Sequence, residues 1–192
     1  MHFGIDYGSK LAGTTVITYD KEKTLYQISS RKKEDADALI LNAVKELKPT
    51  GVYIDAPLSL PLAYFGRGKD YFYREADKEL KAMSPMFLGG LTARAMRLKS
   101  EINVLGIEVF ETYPGAFIRS VPELDLIYNK KDKSNIVALL EVFRPMLKEV
   151  KLHNKPDNLH QFDSLLAWYS GYRHKNDQAQ KIGNQEEGVI VF

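Results

Sequence analysis

The hydrophobic period of this chain changes once, and that change limits the fold more than any other feature. Residues 2–8 place Phe3, Ile5 and Tyr7 on one side and Gly4, Asp6 and Gly8 on the other, the two-residue repeat of a strand. Turn material follows over 9–13. Residues 14–19 and 24–29 are rich in β-branched and aromatic side chains, joined by the polar turn Asp20-Lys21-Glu22-Lys23, so an antiparallel meander is expected. From Ala36 the repeat lengthens: Ala36, Leu39, Ile40, Ala43, Val44 and Leu47 fall on one helical face until Pro49 stops it. Residues 51–57 then read as a short buried strand ended by proline. An amphipathic helix over 91–105 follows, with Gly106 as its left-handed cap, and 107–113 is the next strand. Helices are predicted around 135–143 and 159–172, the latter capped by Asn158 with Gln161. A polar connection over 174–188 leads to a last apolar strand, 189–192.

Strand–helix alternation after a meander predicts an α/β fold whose sheet is covered on both faces. The 192 residues suit one domain, 1–192. One stretch resists the alternation. Residues 58–85 are far too many for an ordinary strand-to-helix connection and read as a functional insertion after the fourth strand.

Three acids, Asp6, Asp55 and Glu111, stand on or at the end of apolar strands. In parallel strands joined by right-handed crossovers the carboxyl ends share one edge, where ligands collect. The plain alternative is three solvated strand ends, although prolines follow Asp55 and Glu111 within three residues. Asp163 shares a helical face with Leu159, Leu166, Ala167 and Ser170, so its carboxylate would point at the core and need a cation. A metal shared with the strand acids is one solution, and an ion pair with Arg97 or Arg119 another. The chain has no cysteine, which removes thiolate zinc, iron–sulfur and cysteine-nucleophile chemistry. Oxygen ligands alone suit a hard cation, Mg²⁺ or Mn²⁺. Two such ions would serve phosphodiester hydrolysis. Lys+Arg number 27 against 25 Asp+Glu, and setting the four candidate acids aside leaves the rest moderately basic, compatible with a nucleic-acid partner. No run of ~18 apolar residues is present and MHFGIDYGSK is wrong for a secretory leader, so a cytoplasmic, membrane-free location is expected.

The opening Gly4-Ile5-Asp6-Tyr7-Gly8-Ser9-Lys10, an acid on each of two later strands and an aspartate on the last helix resemble the ribonuclease H-like superfamily, in particular its resolvase branch, which cleaves branched DNA. Four segments carry a closer likeness: residues 54–61 (IDAPLSLP), Arg74-Glu75-Ala76-Asp77, Glu111-Thr112-Tyr113-Pro114 and residues 160–167 (HQFDSLLA). They resemble the predicted-nuclease family filed as domain of unknown function 429. The resemblance implies a five-stranded mixed sheet, three antiparallel strands then two parallel. It also implies a divalent-metal nuclease site with Asp6, Asp55, Glu111 and Asp163 as catalytic metal ligands.

The insertion interleaves Arg67, Lys69, Arg74, Lys78 and Lys81 with Tyr64, Phe65, Tyr71, Phe72 and Tyr73, which suits phosphate contacts with base stacking or a flap packing on the domain. Arg74 is a phosphate-contact candidate through the resemblance, and an ion pair to Asp77 is the plainer reading. Lys133, with Lys130 and Lys131, is a second candidate for substrate phosphate, or a solvated loop. His160, one turn before Asp163, would carry a proton, touch a metal or face solvent. Two rival functions stay open. An actin-like phosphotransferase or ATPase shares the Gly4-x-Asp6-x-Gly8-Ser9 turn, and a non-catalytic nucleic-acid-binding module could keep the same fold.

Overall fold

A computed structural model describes residues 1–129 and 135–192. The meander forms as expected: β1 (Phe3–Asp6), β2 (Val16–Lys21) and β3 (Thr24–Ser29) pair antiparallel in chain order. β4 (Val52–Asp55) joins β1 in parallel, and β5 (Val109–Thr112) joins β4 in parallel. These five central strands follow the implied pattern, but the sheet has eight strands, in the order β6-β3-β2-β1-β4-β5-β8-β7. The expectation of five is corrected at both margins. β8 (Gly188–Val191) lies parallel beside β5 and is itself paired antiparallel by β7 (Lys181–Asn184), while the two-residue β6 (Lys151–Leu152) lies on β3. The hairpin covers what would otherwise be an open row of β5 backbone donors and acceptors. β7 escapes a reading of the sequence because Lys-Ile-Gly-Asn offers a single apolar side chain.

Alternation along β1 decides what covers each face. Phe3 and Ile5 pack with Ile54 of β4 and with Ile40 of α1 (Ala36–Leu47) and Leu98 of α4 (Gly90–Val104). Gly4 faces the other way, and there α8 (Leu159–Lys175) lies directly on the strand: a Cβ at Gly4 would stand 1.9 Å from the Trp168 backbone nitrogen. Gly171 repeats this approach one turn further along, where a Cβ would meet the Tyr53 and His2 rings at 2.5–2.6 Å. The helix starts where the sequence places it, with the Asn158 side chain accepting the Gln161 N–H at 3.0 Å, while the Gln161 side chain accepts from Asp157 N. No helix among the described residues is long and apolar enough to cross a membrane.

His2 is buried under α8, stacked on Trp168 at 5.1 Å, with Nε2 2.8 Å from the Trp168 carbonyl. Burial pulls its pKa from 6.5 down to about 4. The folded chain therefore declines a proton that the unfolded chain accepts at about pH 6.5. This contribution to stability is complete above pH 6.5 and drains away as pH falls towards 4, by about 3 kcal/mol. Urea unfolding at steps from pH 7.5 to 4 should show a steeper acid loss in the wild type than in His2→Gln. Equal slopes would refute the assignment.

The insertion is folded rather than loose. It contains a 3₁₀ turn (Leu62–Phe65), α2 (Glu75–Glu79) and the start of α3 (Pro85–Leu88). The Glu187 carboxylate, from the β7–β8 turn, accepts the Leu62 and Glu75 backbone N–H groups at 2.9 and 2.8 Å. The added hairpin and the insertion thus hold each other.

Candidate functional site

Asp6 ends β1 and Asp55 ends β4, and the two are register partners across the parallel ladder. Partners in register share a face and neighbouring strands lie about 4.8 Å apart, so two carboxylates stand side by side at the strands' carboxyl edge. They are on the face that α8 covers, because Gly4 and Asp6 are two residues apart. Asp163 comes down from α8, 5% exposed, and the Tyr128 hydroxyl donates to its two oxygens at 2.9 Å. Tyr128 directly follows α6 (Pro122–Ile127). Burial raises its pKa well above the ordinary phenol value, and the negative charges of Asp163, Asp55 and Asp6 raise it further. One protonated hydroxyl therefore feels all three acids. His160 adds a link: its Nδ1 lies 2.9 Å from Asp6 Oδ2. Helical spacing of three residues puts His160 and Asp163 on the same side of α8.

Glu111 lines the same cleft as Asp6 and Asp55, but its carboxylate is engaged by Arg74. Its register partner on β4 is Ile54, one residue before Asp55, so its side chain leaves the sheet on the opposite face. There it accepts from both terminal nitrogens of Arg74, at 2.7 and 2.6 Å, and from Leu58 N at 2.8 Å. Arg74 is 1% exposed and also donates to Asp77 at 2.9 and 2.6 Å and to Ser59 at 2.8 Å. Burial opposes the guanidinium charge, but the hydrogen bonds of Glu111 and Asp77 outweigh it and hold Arg74 firmly protonated. Glu111, expected as a metal ligand, and Arg74, expected as a phosphate contact, are paired with each other, since a buried guanidinium needs its counter-charges close by. The plainer Arg74–Asp77 reading is present as one half of the cluster. Lys133, Lys130 and Lys131 lie outside the described residues.

Around the turn after β1, Arg94 and Arg97 of α4 both reach Asp37, at 2.6 and 3.0 Å, and Arg94 donates to the Gly8 carbonyl. Tyr7 donates to Asp37 from its hydroxyl. Burial works to raise the Asp37 pKa, yet Arg94 and Tyr7 hold it below the ordinary value. These groups fasten the residues that follow Asp6. Arg97 also reaches Glu101 at 3.4 Å, as its spacing predicts.

A cleft of about 240 Å³ opens at this edge, lined by Asp6, Asp55, Glu111 and Arg74, with Met83 of the insertion and Leu88 of α3. Among the described residues no three His, Asp or Glu side chains are preassembled as a metal cage. The donor chemistry nevertheless fits a hard cation: three carboxylates and no sulfur, on one face at one strand edge. Tyr128 and His160 hold two of those carboxylates by hydrogen bonds a metal would compete with.

Fold and site together define a mixed α/β protein with an acidic cleft at the carboxyl edge of its parallel strands. No family model matches the chain, and no curated protein matches it. Among solved structures the chain is similar to T. thermophilus RuvC in complex with a Holliday junction substrate, at 15% identity and a TM-score of 0.43, over 93% of this chain and 97% of that one.

Proposed function

We propose that this chain is a divalent-metal-dependent phosphodiester hydrolase of the ribonuclease H-like kind, acting on nucleic acid, as the resemblance to the predicted-nuclease family implies. The observation that carries the reading is the register pairing of Asp6 with Asp55 at the edge that α8 reaches, where His160 meets Asp6 and, one turn on, Asp163 is held by Tyr128. In this reading Asp6, Asp55 and Asp163 hold the ions, Mg²⁺ or Mn²⁺, and Glu111 serves with Arg74 to set the chain that leaves β4. When bound, a divalent cation supplies a Lewis acid for a phosphoryl oxygen and an activated water at neutral pH. His160 orients the Asp6 carboxylate, and its imidazole is placed to exchange a proton at the same edge. Tyr128 fixes Asp163 by donating to it.

Labelled single-stranded, duplex and branched DNA and RNA, each incubated with Mg²⁺ or Mn²⁺, test the reading. Cleavage should require the metal and fall about a thousandfold in Asp6→Asn and Asp163→Asn, since a ligand carboxylate supports several kcal/mol of transition-state stabilisation. Equal activity in variants and wild type would end the proposal. Millimolar metal should also raise the melting temperature of the wild type and not of the variants.

A further inference from the structure

The insertion carries a second feature that the carboxylates do not use. Phe72 is 53% exposed, Phe87 64% and Met83 59%, and Tyr64 and Tyr71 add two further half-exposed rings. Leaving large apolar side chains in water forgoes the gain of burying them, and clustered exposure of this kind marks a binding surface. The rings are held in place. Phe87 of α3 meets Phe72 at 5.7 Å and Tyr73 at 5.9 Å, and Tyr64 meets Tyr71 edge-on at 5.4 Å. Asp70 accepts the Phe72 and Tyr73 backbone N–H groups at 2.8 and 2.9 Å, and the Ser84 hydroxyl donates to the Phe72 carbonyl. Tilted and edge-on packing leaves ring faces open for a further planar group.

Position and charge say which planar group. Met83 belongs both to the exposed surface and to the wall of the acidic cleft, and Leu88, next to Phe87 on α3, lines that cleft too. Lys69 and Lys81 are exposed on the same insertion and take no part in an ion pair among the described residues, whereas Arg67 is paired to Glu186 and Lys78 to Asp70. Lys81 sits in a left-handed turn, φ 47°, directly before Ala82 and Met83. Open rings flanked by unpaired ammonium groups, continuous with a phosphodiester-cleaving cleft, match one chemistry: unpaired nucleobases with their backbone phosphates. We infer that the insertion is a stacking platform that holds a single-stranded stretch of nucleic acid beside the cleft. The inference rests on the nuclease reading for the nature of the cleft, but binding can be measured without cleavage.

Fluorescence anisotropy in EDTA, with the full chain and a labelled oligonucleotide as single strand or blunt duplex, tests it. The double variant Phe72→Ala/Phe87→Ala should weaken single-strand binding about ten- to a hundredfold. Duplex binding should change less than about threefold, since paired bases offer no free face to the rings. Lys69→Ala and Lys81→Ala should each reduce the salt slope of single-strand binding by about 0.7. Both rings are exposed, so the melting temperature should stay put and report that the variant is folded. Unchanged single-strand affinity in the double variant overturns the inference. A wild-type dimer that the double variant converts to monomer, with single-strand affinity preserved, overturns it too and assigns the surface to self-association. Ring-dependent single-strand binding in a protein that cleaves nothing would sustain the platform while the nuclease reading fails.

Discussion

Gly4→Ala is expected to lift α8 from the sheet and cost more than the ~1–3 kcal/mol usual for an overpacked core. The added Cβ would lie 1.9 Å from the Trp168 nitrogen and 2.3 Å from its Cα, and backbone cannot swing aside as a side chain does. Trp168 is itself clamped: its carbonyl meets His2 and its indole N–H donates to Asp20. The helix that must move is the one that carries Asp163 and His160 towards Asp6, so the site should be lost with the packing. A melting temperature lower by roughly ten degrees or more, together with loss of any metal-induced stabilisation, is the expected result. An alanine variant that melts with the wild type would show that the approach of α8 to β1 is looser than described.

Arg74→Met should have a comparably large effect for a different reason. It leaves Glu111 and Asp77 buried, at 6% and 1% exposure, without their shared counter-charge. Breaking a buried ion pair from one side costs about 3–5 kcal/mol. For a chain of this size that is roughly 6–20 °C in melting temperature. Adding Glu111→Gln to the same chain should recover part of the loss, because one stranded charge is removed. Binding and stability separate the two readings of Arg74. A phosphate contact would weaken nucleic-acid binding and leave melting unchanged, whereas the buried cluster predicts the reverse order of effects.

Much of this architecture was legible residue by residue. The alternation in β1, the cap at Asn158 and the start of α8 are consequences of short-range sterics and of which side chains avoid water, and they appear where the residue pattern puts them. Pro114 both closes β5 and, as proline at the first helical position, starts α5 (Pro114–Ser120), and Pro122 starts α6 in the same way. Those short helices bring Tyr128 to Asp163, a contact with no local signature. His160 did leave a signal, three residues before Asp163 on the same helical face, and its partner Asp6 lies 154 positions away.

Local pattern sufficed to name the four acids and to place each at the end of a strand or inside an apolar helix face, because periodicity and proline are properties of neighbouring residues. It could not say which acids would meet. A shift of one residue in strand register reverses the face a side chain takes. That single step sets Asp55 beside Asp6 and turns Glu111 to Arg74 at the same cleft. Register is fixed by long-range pairing of β4 with β1 and β5, and by the helices that bury each face. The pairing of Asp6 with Asp55, and of Glu111 with Arg74, is therefore a property of the assembled sheet.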